Sequence, residues 1–454
     1  MQLNQTRRNL GHYSLTDRPL RRAQRWVRLR SWLFCALVLI ATALLNGRST
    51  ITATEAQQQR WSMVASAWNF DLVGWESGAV LQKIDAFLTQ PARGLSYVEA
   101  VSFVRSYLDR AQSMGQKESE INRILSANNG DATAETQKLQ AELEALRAIQ
   151  QAERPTVEQT IEGQIAFELR REGIEFAGQA FPPVQFAFVE PPRKLVVSPR
   201  DHIATIYSQM LDAEMSLEEI RASEATYRSQ YNLSAYITNI GGLGAFPTMV
   251  VDQAGLQWIL STVAHEWTHN YLSLFPLGMN YLTSSDLTTI NETVAEIVGN
   301  EFGDRALVTF YPDLVPPPAT EPPAALEPGS GVVAADEHPF DFQTEMRETR
   351  LTVDKLLARG WVEDAETYME ARRIYFVENG YPLRVLNQAY FAFHGSYGTS
   401  PASSSPLGPK LERLRALTPN LHTFLQAVRT IDSPAALDRT LDSWETRERS
   451  RYTK

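Results

Sequence analysis

The sequence predicts an α+β fold that is predominantly helical, with one small antiparallel or mixed sheet. Apolar residues recur at helical spacing over most of the 454 residues. Short runs rich in β-branched and aromatic residues, bounded by Pro and Gly, fall instead between residues 184 and 252. A hydrophobic content of 43% is enough to bury at least one large core, and the length suggests two or three structural units.

The formal net charge of −10 argues against a nucleic-acid partner, because counterion release needs many phosphate-facing Lys and Arg. That charge is unevenly spread. Residues 1–30 hold eight Arg against the single acidic Asp17, a basic leader expected in the cytoplasm, and the rest of the chain carries −17. Directly behind the leader, Ser31 to Leu45 contains no charged residue. The run is shorter than the roughly 20 residues of an ordinary spanning helix, and Ala41-Thr42-Ala43 resembles a cleavage site. The long leader and the flanking Trp26 and Trp32 favour an uncleaved transmembrane signal anchor over 31–47. This expectation makes the chain a single-pass membrane protein whose catalytic body is extracytoplasmic. Cys35, the one cysteine, lies in that segment, so the body can build neither an intramolecular disulfide nor a thiolate metal site.

Residues 48–178 read as a helical region with a hairpin. One helix runs from Tyr97 to Leu125 and a second from Ala132 to Ala152, with Asp131 as N-cap and a stripe of Leu139, Leu143, Leu146 and Ile149. Pro155 fits the first turn of a third helix. After Gly178, Val184 to Val189 and Leu195 to Val197 read as strands, which Pro191 and Pro192 arrange as a hairpin or sheet edge. Ser234 to Ile240 alternates like another strand. The following GGLGAFPTMVVD, residues 241–252, allows close backbone approach, and Pro247 favours an edge strand or its loop.

Leu256 to Ser273 contains no Gly or Pro and keeps a helical apolar period, so His265 and His269 project from one face a turn apart and can share an ion. Glu266 lies one step round the helix, where its carboxylate reaches a water on that ion without replacing it. A catalytic zinc wants a third protein ligand. Leu272 and Phe275 stand where a metzincin would place Gly and His. The helix that starts at Ser284-Ser285-Asp286 instead offers Glu292 as ligand. Glu296, on the same face, is expected to hold a ligand imidazole from behind, and Gly299 leaves room for the first helix.

HEWTH at 265–269 followed by NETVAE with Glu292 resembles the HExxH plus NExxxE signature of gluzincin zinc metallopeptidases, thermolysin-like and aminopeptidase-N-like. The resemblance covers roughly residues 240–304. It implies a zincin-like catalytic core over 179–311 with a small sheet beside two zinc-binding helices, Zn2+ as cofactor, Glu266 as general base and a peptide or protein substrate. A clear GAMEN segment is missing, GGLGAF being a loose analogue, so exopeptidase specificity does not follow. Otherwise the chain looks like an uncharacterised group of membrane-bound peptidases.

Residues 312–339 hold eight prolines and read as an extended loop. Helices resume at Phe340 to Ala358 and Asp364 to Glu378, opening a C-terminal helical region, 340–454, expected to complete the site. Attack on a peptide carbonyl builds negative charge on oxygen, so a donor besides zinc is needed. In YPLRVLNQAYFAFHGSYGTS, residues 381–400, His394 and Tyr397 are the candidates, with Tyr390 behind them. Two other classes fit the same residues: a membrane-anchored binding or scaffold protein with a structural zinc site, and a metal-dependent hydrolase of non-peptide amides.

Overall fold

The computed structural model describes residues 52–127, 133–315 and 340–452. The basic leader and the expected anchor at 31–47 lie outside the described residues, as do Asp131 and most of the Pro-rich loop. Among the described residues no helix is long and apolar enough to cross a membrane. The fold is α+β and mostly helical, and Trp61–Lys454 forms one compact unit.

Helix α1 (Ala53–Val64) is followed by α2 (Leu72–Thr89), which Asp71 caps through Gly74 N–H. The expected hairpin is present: α3 (Tyr97–Ala127) packs against α4 (Ala134–Arg171). At its far end Met114, Ile121 and Leu143 form a small cluster of their own. Two details differ from expectation. Thr133 is the N-cap of α4, in a capping box with Thr136, and α4 runs unbroken through Pro155. The carbonyl that Pro155 leaves without a helical donor is that of Gln151, and both residues are exposed, so water can serve it. Beyond the proline, α4 enters the core, burying Val157, Ile161, Ile165 and Leu169.

Eight short strands follow or interleave: β1 (Glu175–Phe176), β2 (Gln179–Ala180), β3 (Phe186–Phe188), β4 (Arg193–Pro199), β5 (Tyr207–Leu211), β6 (Leu233–Asn239), β7 (Gly242–Leu243) and β8 (Thr248–Val250). β1 and β2 pair as a hairpin. An antiparallel sheet has the order β5-β4-β6, and a mixed sheet has the order β3-β8-β7 with β3 parallel to β8. The expected hairpin across Pro191 and Pro192 is therefore absent, since β3 and β4 belong to different sheets. Thr248–Val250 is a middle strand, which Pro247 permits by preceding it, and the edges are β3 and β7. Helix α5 (Leu217–Tyr231), closed at its start by a Ser216–Glu219 capping box, packs on β6.

Helices α6 (Leu256–Leu272) and α8 (Ser285–Phe310), joined through the short α7 (Pro276–Met279), form the centre of the unit. Ile259, Leu260, Val263 and Trp267 of α6 meet Ile290, Val294, Val298 and Phe302 of α8 in one buried cluster. Their approach needs glycine. A Cβ on Gly303 would lie 2.7 Å from Ser261 Cα, and one on Gly299 would lie 2.8 Å from His265 Cβ.

The C-terminal region is helical: α9 (Phe342–Leu357), α10 (Val362–Glu378), α11 (Gln388–His394), α12 (Leu407–Leu417), α13 (Leu421–Val428) and α14 (Pro434–Tyr452). Polar clamps seat α11 on the β4–β6 sheet. Arg384 makes a bidentate pair with Glu224 and donates to the Ile237 carbonyl, and Asn387 donates to the Ala235 carbonyl while capping α11.

Candidate metal centre

Three side chains converge where α6 crosses α8. His265 Nε2 and His269 Nε2 stand 3.1 Å apart, and each is 3.6 Å from Glu292 Oε2. Donors held about 2.0–2.1 Å from a tetrahedral ion stand about 3.3 Å from one another. The observed triangle brackets that spacing, and a point roughly 2.0 Å from all three atoms lies inside it. These residues therefore fit a divalent ion such as zinc in size and in donor chemistry, and they are the group of His and acidic side chains able to hold a metal among the described residues.

The donors are fixed from behind. Asn291 Oδ1 lies 2.7 Å from His269 Nδ1, so Nδ1–H donates to it and Nε2 is the nitrogen turned towards Glu292, free to bind an ion once its proton is displaced. Asn291 is itself oriented by donating to the Leu277 carbonyl at 3.4 Å. The Tyr281 hydroxyl donates to Glu292 Oε1, leaving Oε2 to face the histidines. Burial alone would raise the Glu292 pKa, but the two imidazoles outweigh it and hold the carboxyl well below its usual range. Burial would likewise lower His269, yet Glu292 beside it pushes the imidazole up to about 9. Histidine and carboxylate thus hold each other charged, a pair from which a binding cation displaces a proton.

Glu266 sits one residue on, buried beneath β7. A Cβ on Gly242 would lie 2.5 Å from Glu266 Oε1, and one on Gly244 would lie 3.3 Å from Oε2 and 3.4 Å from His269 Cβ. The glycines of the GGLG run are what let this edge strand cross so close to the helix. Burial raises the Glu266 pKa against the pull of His265 and His269, a perturbation of the kind a general base shows.

The expected C-terminal contribution reaches the same cleft. Gly398 N–H donates to Thr293 Oγ1 at 2.8 Å, docking the turn after α11 on α8. Tyr397 is thereby brought beside His265, ring centroids 6.2 Å apart, just as Tyr281 flanks His269 at 5.9 Å. The negative charge of Glu292, then burial, lifts the Tyr397 phenol well above its usual value, so it stays a donor. His394 packs between Tyr390 and Tyr236, and burial lowers its pKa to about 4, leaving a neutral imidazole at pH 7. Both residues line a cleft of about 780 Å³ together with the three donors and Glu266.

Glu296 accepts a hydrogen bond from Thr399, which the Gly398–Thr293 contact brings onto α8, and it lies near enough to His265 to feel its charge, while the ring of His269 is held by Asn291. Sequence reading missed Asn291 and Tyr281. The Asn of NETVAE was a visible signal, being one residue before Glu292 on a helix. Tyr281 lies in a loop, and nothing local in the sequence marks it. No family model, curated protein or solved structure matches this chain.

Proposed function

We propose that this chain is a membrane-anchored zinc metallopeptidase of gluzincin type, with a zincin-like core, and that residues 31–47 form the anchor. The observation that carries the catalytic reading is the His265–His269–Glu292 triangle with Glu266 buried directly beside it. A structural ion would need no such neighbour. In a closed structural site a fourth protein ligand completes the tetrahedron, whereas these three donors line a cleft of about 780 Å³.

Zinc held by His265, His269 and Glu292 would supply a Lewis acid that acidifies a water towards a pKa of about 7 and polarises a carbonyl. Glu266 takes the proton of the attacking water and returns it to the leaving amine. Tyr397 and neutral His394, which line the cleft, donate to the oxygen on which negative charge develops. Tyr281 and Asn291 keep the donors in register through their hydrogen bonds to Glu292 and His269. The free edge of β7 offers backbone groups to a substrate strand running alongside it.

His265→Ala should abolish metal binding and peptide hydrolysis together. Cleavage of a peptide panel, with simple non-peptide amides left intact, supports the peptidase reading. Hydrolysis of the amides alone would replace it with another hydrolase.

A further inference from the structure

Lys194 lies on β4, in register with Met210 of β5 and Thr238 of β6, and lines the same cleft as the metal donors. Its ammonium rests over the Phe393 ring, 5.5 Å from the centroid, one residue before His394. The part-buried lysines elsewhere are paired: Lys83 with Glu158 and Glu162, Lys117 with Glu142, and Lys410 with Asp438. Among the described residues no carboxylate lies within 4.0 Å of Lys194 Nζ.

A divalent ion at the triangle is balanced by Glu266 and Glu292, and Glu296 is engaged by Thr399 on the α8 side. Lys194 then brings a cation to the β4 side of the cleft, resting on the Phe393 face, and its charge is felt by the buried Glu266 carboxylate without a direct ion pair. A half-buried ammonium that makes no direct contact with a carboxylate keeps hydrogen-bond donors for an anion entering the cleft. Ser208 and Met210 beside it leave room for a short side chain or chain end.

We propose that Lys194 receives a carboxylate of the substrate, so that the cleft selects peptides carrying a negative group near the scissile bond. The inference rests on the peptidase reading of the same site. The carboxylate has two sources, an acidic side chain or the free C-terminus, and Lys194 is the specificity-determining residue for either.

Two measurements on the full chain test this. In the first, the zinc-loaded Glu266→Gln protein, which need not turn over, is titrated calorimetrically with three peptides of equal length. One has an internal Asp and an amidated end, one is neutral with a free C-terminus, and one is neutral and amidated. Lys194 predicts that one or both charged peptides bind roughly ten-fold or more tightly than the neutral amidated one. Lys194→Met in the same background removes the difference, and Lys194→Arg retains most of it. The peptide that gains affinity identifies the source. In the second, cleavage of the same peptides by the otherwise unsubstituted chain is compared with cleavage by its Lys194→Met variant, and the ratio of charged to neutral kcat/KM should collapse. Equal binding of the three peptides, or a preference unchanged in Lys194→Met, overturns the proposal. Selective binding without cleavage by the parent would instead count against the peptidase reading and leave the carboxylate site standing.

Discussion

Asn291 Oδ1 lies 2.7 Å from His269 Nδ1, and the same helical turn of α8 carries Glu292 to within 3.6 Å of His269 Nε2. One turn of helix therefore both supplies a candidate metal donor and orients a second. Asn291→Ala is expected to weaken zinc binding by about 10- to 100-fold without unfolding the chain. Asn291→Asp, which keeps an acceptor in place, should recover most of it. Competition against a chelator of known affinity measures both.

The two glycines of α8 that face α6 should be intolerant of a methyl group. Gly303→Ala places a Cβ 2.7 Å from the Ser261 backbone, and an overpacked contact of this kind costs about 1–3 kcal/mol. Because Gly299 abuts His265, Gly299→Ala should lower metal affinity as well as the thermal midpoint. Gly163 in α4 is the control, since a Cβ there meets nothing within 4 Å. Gly163→Ala should stabilise by about 0.5–1 kcal/mol. Thermal melts of the three variants would separate these outcomes.

Tyr281 and Tyr397 flank the two histidines but should differ in effect. Tyr281→Phe removes the hydrogen bond to Glu292 and is expected to act on metal affinity. Tyr397→Phe is expected to lower kcat by about 10²–10³ with zinc retained, the usual cost of losing a donor to a developing oxyanion. Metal content and steady-state kinetics on each variant make the distinction.

Glu366 ties the sheet to the C-terminal helices by accepting from Arg200, after β4, and from Arg228 on α5. Burial would raise its pKa, but the two guanidinium groups outweigh it and hold the carboxyl at about 2 against an ordinary 4.5. A depressed folded-state pKa contributes stability above 4.5 that is lost as pH falls towards 2. Glu366→Gln should therefore cost about 1–3 kcal/mol at neutral pH. The difference from the parent should shrink through that acid window, as read from denaturant midpoints against pH.

The sequence exposed what is periodic or locally capped. HEWTH sits on an uninterrupted helical pattern, and Ser284 caps α8 as expected. Glu292 was legible because helix spacing places it on the face that returns towards the first helix. Less was legible where partners are distant in the chain. Nothing near Phe186 says that it pairs with Thr248 rather than across Pro191 and Pro192. Pro155 ordinarily marks a helix start, and only its exposure in the folded chain explains its place inside α4. Tyr281 follows α7, whose Leu277 N–H is held by the Arg429 carbonyl far along the chain, so its position depends on tertiary docking. Lys194 stands one residue before the expected strand Leu195 to Val197 and carries no local signal; β5 and α11 are what enclose it.

Zinc content and cleavage of a mixed peptide library, measured for the full chain beside its Glu266→Gln variant, decide whether this cleft hydrolyses peptides. One zinc per chain in both proteins, with cleavage by the parent alone, is the predicted result. Absence of zinc from the parent, or equal cleavage by the two proteins, would contradict it.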